Sequence, residues 1–258
     1  MPHKIAGYGW IADLPDGRDR VYSVPSSVNA AGLPAKADLR PQCPPVYDQG
    51  QIGSCTGNAI AAAVEFDRMK QGLQAFEPSR LFIYYNERAL EGTVNSDAGA
   101  QIRDGIKVVA SQGTCGEGTK PGEWPYDPNV LTERPNPQCY SSAIKHKTVS
   151  YERIVRNLNQ MKGCLASGYP FVFGFTVYQA FEDAQVAQTG HACLPDHHDV
   201  VIGGHAVMAV GYDDANHWFI VRNSWGTNWG ISGYFTMPYE YLMRPNLSDD
   251  MWTIRIVQ

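Results

Sequence analysis

One stretch constrains this chain more than any other: from Ser54 to Gly72 it reads SCTGNAIAAAVEFDRMKQG. Ala, Ile and Val recur there at helical spacing, a capping-type serine opens the run and a glycine closes it, so the stretch predicts a largely buried helix with a cysteine in its first turn. Such a helix must be wrapped by other layers. Ser79 to Leu90 and Ile102 to Gln112 also read as helices, the second closed by Gly113. Between Cys115 and Lys147 the composition shifts to proline, glycine and asparagine, which predicts a connection between two lobes. One more helix is expected over about Val155 to Ser167. After it the pattern turns to strands at Phe171 to Tyr178, His205 to Tyr212, Trp218 to Asn223, Gly233 to Met237 and Trp252 to Val257. Helices first and strands later predict an α+β fold with a cleft between the lobes. At 258 residues and 43% hydrophobic composition, the chain can bury the core this requires.

The residues before Pro34 are rich in Pro, Gly, Ser and Asp, with Tyr8, Trp10 and Tyr22 among turn signals, and predict an extended arm rather than a domain. No seven-residue apolar core opens the chain and no run of 18 apolar residues occurs, so no signal peptide or membrane span is expected. A soluble chain follows, secreted only if a signal lies outside it. A net charge of −5 without a basic run gives no footprint for nucleic acid. The six cysteines, at 43, 55, 115, 139, 164 and 193, form no C-x-x-C pair, and the tract from His191 to Asp199 meets no zinc spacing and reads as a solvated loop. Neither metal nor cofactor is expected.

Three segments carry chemistry: Gln49 to Cys55, Gly203-Gly204-His205, and Asn223-Ser224-Trp225-Gly226. A thiol at the first turn of a long helix faces unpaired N–H groups and the positive end of the macrodipole, which predicts a lowered thiol pKa. An amide such as Asn223 would hold the His205 ring while its other nitrogen faces sulfur, and Trp225 would keep water off that bond. Gln49 would offer a side-chain N–H to the oxyanion beside the Cys55 amide. A lone buried cysteine is usually inert, but the joint presence of Gln49, His205, Asn223 and Trp225 favours catalysis.

In these segments the chain resembles the papain and cathepsin family of cysteine peptidases, and within it a bacterial branch. The resemblance covers roughly residues 33 to 258, beginning at Pro34-Ala35-Lys36-Ala37-Asp38-Leu39-Arg40 and including Trp124-Pro125-Tyr126 and Asn223 to Gly230. It implies a helical left lobe at about 45–130, an antiparallel β-barrel-like right lobe at about 145–258, and residues 1–34 as a short prosegment-like arm over the cleft. It implies catalytic roles for Cys55, His205, Asn223 and Gln49, and a substrate strand along Asp97-Ala98-Gly99-Ala100, with Ala98 and Gly99 as the binding residues. Gly203 and Gly204 would border the P2 pocket, and Trp225 and Trp229 would flank the site. With no acidic residue beside His205, an apolar P2 side chain is expected. Ile52 and Thr56 depart from the family, which often has cysteine and an aromatic residue there; one familiar disulfide is therefore missing.

The partners so implied are a peptide or protein substrate and, in cis, the arm as inhibitor. No oligomer signal is present, and a monomer is expected. Two rivals stand beside the endopeptidase: a Cys-His-Asn acyltransferase or isopeptidase, and a non-catalytic binding module of the same fold.

Overall fold

The computed structural model describes residues 7–74 and 76–257; the first six residues of the expected arm and Gln258 lie outside them. The arm supplies β1 (Trp10–Ile11) and α1 (Ser26–Ala31), and β2 (Lys36–Asp38) follows. Then come α2 (Cys55–Lys70), α3 (Arg80–Glu91), β3 (Ala100–Gln101), α4 (Ile102–Ser111), β4 (Gly116–Glu117), β5 (Glu123–Trp124) and α5 (Pro137–Ala143). The rest is β6 (Thr148–Arg153), α6 (Leu158–Ala166), β7 (Phe171–Tyr178), α7 (Ala184–Thr189), β8 (Val201–Asp213), β9 (Trp218–Arg222), β10 (Tyr234–Pro238), α8 (Tyr239–Met243) and β11 (Ser248–Val257).

The fold is α+β. Residues 55 to 68 of α2 are all buried, so the helix has no wet face, and its alanines let neighbouring elements approach closely. α3 starts where the Ser79 hydroxyl accepts from the Phe82 N–H at 3.1 Å, and it ends on Gly92 at φ 74°, a left-handed cap that glycine adopts without penalty.

The large sheet runs β10-β9-β8-β7-β11-β6, with β2 added beside β8. Its ladders are antiparallel, and β8 is buried from His205 to Tyr212 between β7 and β9. Among the described residues no pairing joins β10 to β6, so the expected barrel-like lobe is an open sheet. A second difference is β6, which lies just before the expected helix and pairs with β11. Its six residues carry little apolar periodicity of their own and are held by the register of β11. The helix itself starts later, at Leu158, where the Asn157 side chain accepts from the Asn159 and Gln160 N–H groups. All six cysteines carry free thiols.

Candidate active site

Cys55 opens α2 with its side chain fully buried, and its sulfur meets the backbone N–H groups of Ala206 on β8 and Gly9 of the arm. His205, one residue before Ala206, is also fully buried. Its Nε2 lies 2.8 Å from Asn223 Oδ1. The indole of Trp225 stacks on the imidazole, with centroids 5.0 Å apart and planes at 29°, while Phe175 meets it edge-on at 5.7 Å. Nδ1 of His205 and Nδ2 of Asn223 are buried without a hydrogen-bond partner among the described residues. Polar atoms left so are costly, and such exceptions concentrate where chemistry or a missing ligand explains them.

Gln49 is buried beside this pair. Its amide oxygen accepts from the Ser224 hydroxyl at 2.6 Å, and its Nε2 donates to Ile52 O at 2.9 Å. Tyr126 braces the same turn by donating to Gln49 O at 2.9 Å, and its hydroxyl lies 2.6 Å from Ser54 Oγ. Behind the thiol, the Thr56 hydroxyl donates to Glu87 Oε2 at 2.6 Å, so the position where the family often has an aromatic ring carries a buried polar contact.

The arm crosses the site. Gly9 lies so close to the turn before Cys55 that a Cβ on it would stand 1.6 Å from Gly53 O. Its carbonyl accepts from the Ala100 N–H at 2.7 Å, and β1 pairs with β3 in parallel through Trp10↔Ala100 and Ile11↔Gln101. Gly99 has φ 78°, and a Cβ there would come within 2.5 Å of Gly9 O. The wall expected to hold substrate is thus filled by an added strand from the chain itself. On either side of Gly9, Tyr8 packs on Gly203 and edge-on to His205 at 6.1 Å, donating its hydroxyl to the Glu182 carboxylate, and Trp10 packs on Gly204 and Gly174. Tyr22, the third aromatic of the arm, does not join them. It is buried away from the cleft, beneath Arg255 with 4.7 Å from guanidinium to ring centroid.

Burial dominates the titration of the central pair. It pushes the Cys55 thiol up to about 12, against the opposing pull of the Ala206 and Gly9 N–H groups, and pushes His205 down to about 4 despite its bond to Asn223. The lowered thiol pKa expected from the helix terminus is therefore absent in the covered site, because desolvation outweighs the dipole. Covered, the pair is a neutral thiol and a neutral imidazole.

The structure brings Cys55, His205, Asn223, Gln49 and Trp225 together; Gly99, Gly203 and Gly204 line the arm's path, and Ala98 is exposed at its edge. Trp229 packs edge-on against Trp225 at 5.0 Å and against Phe181 at 5.7 Å, so it buttresses the indole over His205. Sequence reasoning missed Ser224, although it stands inside the quoted Asn223 to Gly226 run. It placed Asp97 only in the substrate wall and missed that its carboxylate accepts from the Gly53 N–H at 2.8 Å and from the Tyr84 hydroxyl at 2.6 Å. Asp250, which reaches the Trp10 pocket from β11, gave no local signal.

Comparison with known proteins follows the same outline. The family model described as papain family cysteine protease matches residues 33–243. This chain belongs to the papain family of cysteine proteases. Xylellain, a cysteine protease from Xylella fastidiosa, has a crystal structure that superposes with a TM-score of 0.88 at 46% identity, covering 100% of this chain and 99% of that one. A peptidase C1-like protein of Acanthamoeba polyphaga mimivirus is 40% identical over 97% of this chain and 87% of its own length. The proCathepsin B S9 of Trypanosoma congolense shares the fold, with a TM-score of 0.74 at 16% identity over 99% of this chain and 87% of that chain. The papain-family chain is accordingly a cysteine peptidase with an α+β fold. None of its described helices is long and apolar enough to cross a membrane.

Proposed function

We propose that this peptidase hydrolyses peptide bonds with Cys55 as nucleophile, His205 as acid–base and Asn223 as the group that orients the imidazole. The observation that carries this reading is the buried His205–Asn223 contact of 2.8 Å under the Trp225 indole, with Nδ1 left unpartnered on the ring that adjoins the Cys55 turn. A ring held at one nitrogen and free at the other suits a proton transfer to and from sulfur.

With the arm displaced, water and a substrate carbonyl replace the dry contact, so the thiol falls from its raised pKa and the imidazole rises from its lowered one. The proton then moves from Sγ to Nδ1. The thiolate attacks the scissile carbonyl carbon, and charge develops on its oxygen. The Cys55 N–H and a Gln49 Nε2 proton stabilise that oxygen, the side chain of Gln49 being fixed by Ser224. The imidazolium returns its proton to the leaving amine as the C–N bond breaks, and a thioester remains. Water attacks it with His205 as base, releasing the acid and the free thiol.

Substrate would lie along Ala98 and Gly99 as an added strand, with Gly203 and Gly204 bordering a side-chain pocket and Trp229 at the far side of the indole. In this reading residues 1–34 are an inhibitory arm in cis, and residues 35–258 form the peptidase domain, working as a monomer. A fluorogenic dipeptide amide with Arg at P1 tests it, using wild type and Cys55→Ala, each with and without residues 1 to 33. Turnover that needs both the thiol and removal of the arm is expected. Turnover that survives Cys55→Ala would assign the chemistry elsewhere, and turnover undiminished by the arm would remove its inhibitory role.

A further inference from the structure

Tyr84 stands where α2, α3 and the wall at Gly99 meet. The two helices cross so tightly at Gly57, in the same turn as Cys55, that a Cβ there would stand 2.6 Å from Arg80 O and 3.1 Å from the Tyr84 Cβ. Tyr84 is fully buried in this crossing, and its hydroxyl is engaged both as donor and as acceptor. It donates to Asp97 Oδ1 at 2.6 Å and accepts from the Gly99 N–H at 3.0 Å. The other Asp97 oxygen, Oδ2, accepts from the Gly53 N–H at 2.8 Å. One chain of hydrogen bonds thus runs from Gly99 through Tyr84 and Asp97 to the turn before Cys55.

The loop that leads to the wall is held from the same helix. One turn beyond Tyr84, the Arg88 guanidinium lies over its ring, 4.2 Å from the centroid. Arg88 donates to the carbonyls of Ser96 at 2.7 Å, Val94 at 3.3 Å and Leu131 at 2.6 Å. Burial first, and the bond to Asp97 second, push the Tyr84 phenol pKa up, so the phenol keeps its proton and remains a donor. No disulfide joins the wall to the turn: Ile52 stands where the family often has cysteine, and all six cysteines are free thiols. Gly99 and Ala100 are the backbone against which Gly9 of the arm lies. Without the Tyr84 oxygen, the buried Gly99 N–H would lose its acceptor and the wall its fixed distance from the turn.

We propose that Tyr84 is a positioning residue of this peptidase: through Asp97 its hydroxyl fixes the backbone at Gly99 against the turn before Cys55, and so sets how firmly an extended peptide is held beside the thiol. The inference deepens the peptidase reading and rests on Cys55 being the nucleophile. Tyr84 touches neither the thiol nor the peptide and acts through the backbone at both ends of the chain.

The test uses the full-length chain in two ways. In the first, Gly9→Ala displaces the arm through its clash with Gly53 O, and kcat and KM are measured for a dipeptide coumarin amide. Adding Tyr84→Phe, which keeps the ring under Arg88 and removes only the hydroxyl, is expected to raise KM about fivefold with kcat within about twofold. Asp97→Ala should do the same, and the two changes together should do no more than either alone, because they cut one chain. An unchanged KM overturns the proposal, and so do effects that multiply. In the second, the arm is the ligand: Cys55 carboxymethylation by iodoacetate is followed by peptide mass mapping in chains that keep Gly9. Tyr84→Phe should speed labelling about fivefold, and Tyr85→Phe, at the partly buried neighbour outside the chain of bonds, should leave it unchanged. Labelling of Tyr84→Phe at the rate of wild type or of Tyr85→Phe overturns the proposal without any turnover being needed. Absence of hydrolysis in the Gly9→Ala chain would count against the peptidase reading, while the labelling comparison still decides the role of Tyr84.

Discussion

The arm holds the molecule at two places, and it does so by different physics. Over the nucleophile, Tyr8, Gly9 and Trp10 make a contact of backbone and rings, in which Gly9, Gly53 and Gly99 approach so closely that no side chain fits between them. Farther along, the grip is ionic. Asp19 receives Arg103 through Nε at 3.1 Å and Nη2 at 2.7 Å, a bidentate fork in which both side chains are largely buried. Asp13 accepts from the Arg103 backbone N–H at 3.0 Å and from the Trp252 indole at 3.0 Å. The first contact depends on the absence of atoms and the second on the presence of charges. The contact over Cys55 is one of shape, and the one farther along is made by ion pairs that lie away from it.

The largest effect expected is on the chemistry itself. Cys55→Ala should lower kcat by at least about 10³-fold in any form whose cleft is open, because the nucleophile acts as a unit with its base. Asn223→Ala should lower kcat by about tenfold or more with little change in KM, since it frees the His205 ring without touching substrate binding. Steady-state kinetics on one dipeptide amide separates the two.

The next effects divide the two ends of the arm. Gly9→Ala, which places a methyl group against Gly53 O, should speed labelling of Cys55 in the full-length chain by about 10²-fold. Asp19→Asn leaves the strand contact intact but strips Arg103 of its charged partner, and should speed labelling by about tenfold. If Asp19→Asn opened the site more than Gly9→Ala did, the ionic clasp rather than the glycine contact would control closure.

The smallest effect lies behind the nucleophile, outside the arm. Burial pushes the Glu87 carboxyl up to about 8, with the Thr56 hydroxyl pulling the other way. The folded state then holds this proton to higher pH than the unfolded chain does. Its stabilising contribution is complete below the ordinary glutamate pKa and is lost as pH rises through about 8. Glu87→Gln removes the titration, so the variant should gain about 1 kcal/mol over wild type between pH 7 and pH 9. Thermal unfolding at the two pH values measures it, and a constant difference between the chains would show that Glu87 does not titrate there.

Much of this was legible in the order of residues. The buried helix that starts at Cys55 announced itself through spacing and end signals, and β7 matched its expected range because an apolar run is bounded by Pro170 and a turn. The grouping of Cys55, His205, Asn223 and Gln49 was readable because each stands in a run whose residue types suit one reaction. The arm's route was not, since nothing local in Tyr8-Gly9-Trp10 says that its glycine will meet Gly53 and Gly99. The same holds for Asp19 with Arg103 and for Asp250 with Trp10, pairs joined only by the tertiary fold. The protonation of the site was misread for a related reason: the helix terminus is visible in the sequence, but the burial that overrides it is made by the tertiary fold.

The most direct test of the account is the rate of Cys55 carboxymethylation in the full-length wild type and in Gly9→Ala, read at Cys55 by peptide mass mapping under native conditions at pH 8. The account predicts slow labelling in wild type and labelling about 10²-fold faster in Gly9→Ala. Equal rates in the two chains would contradict it, because the arm would then not be what closes the nucleophile.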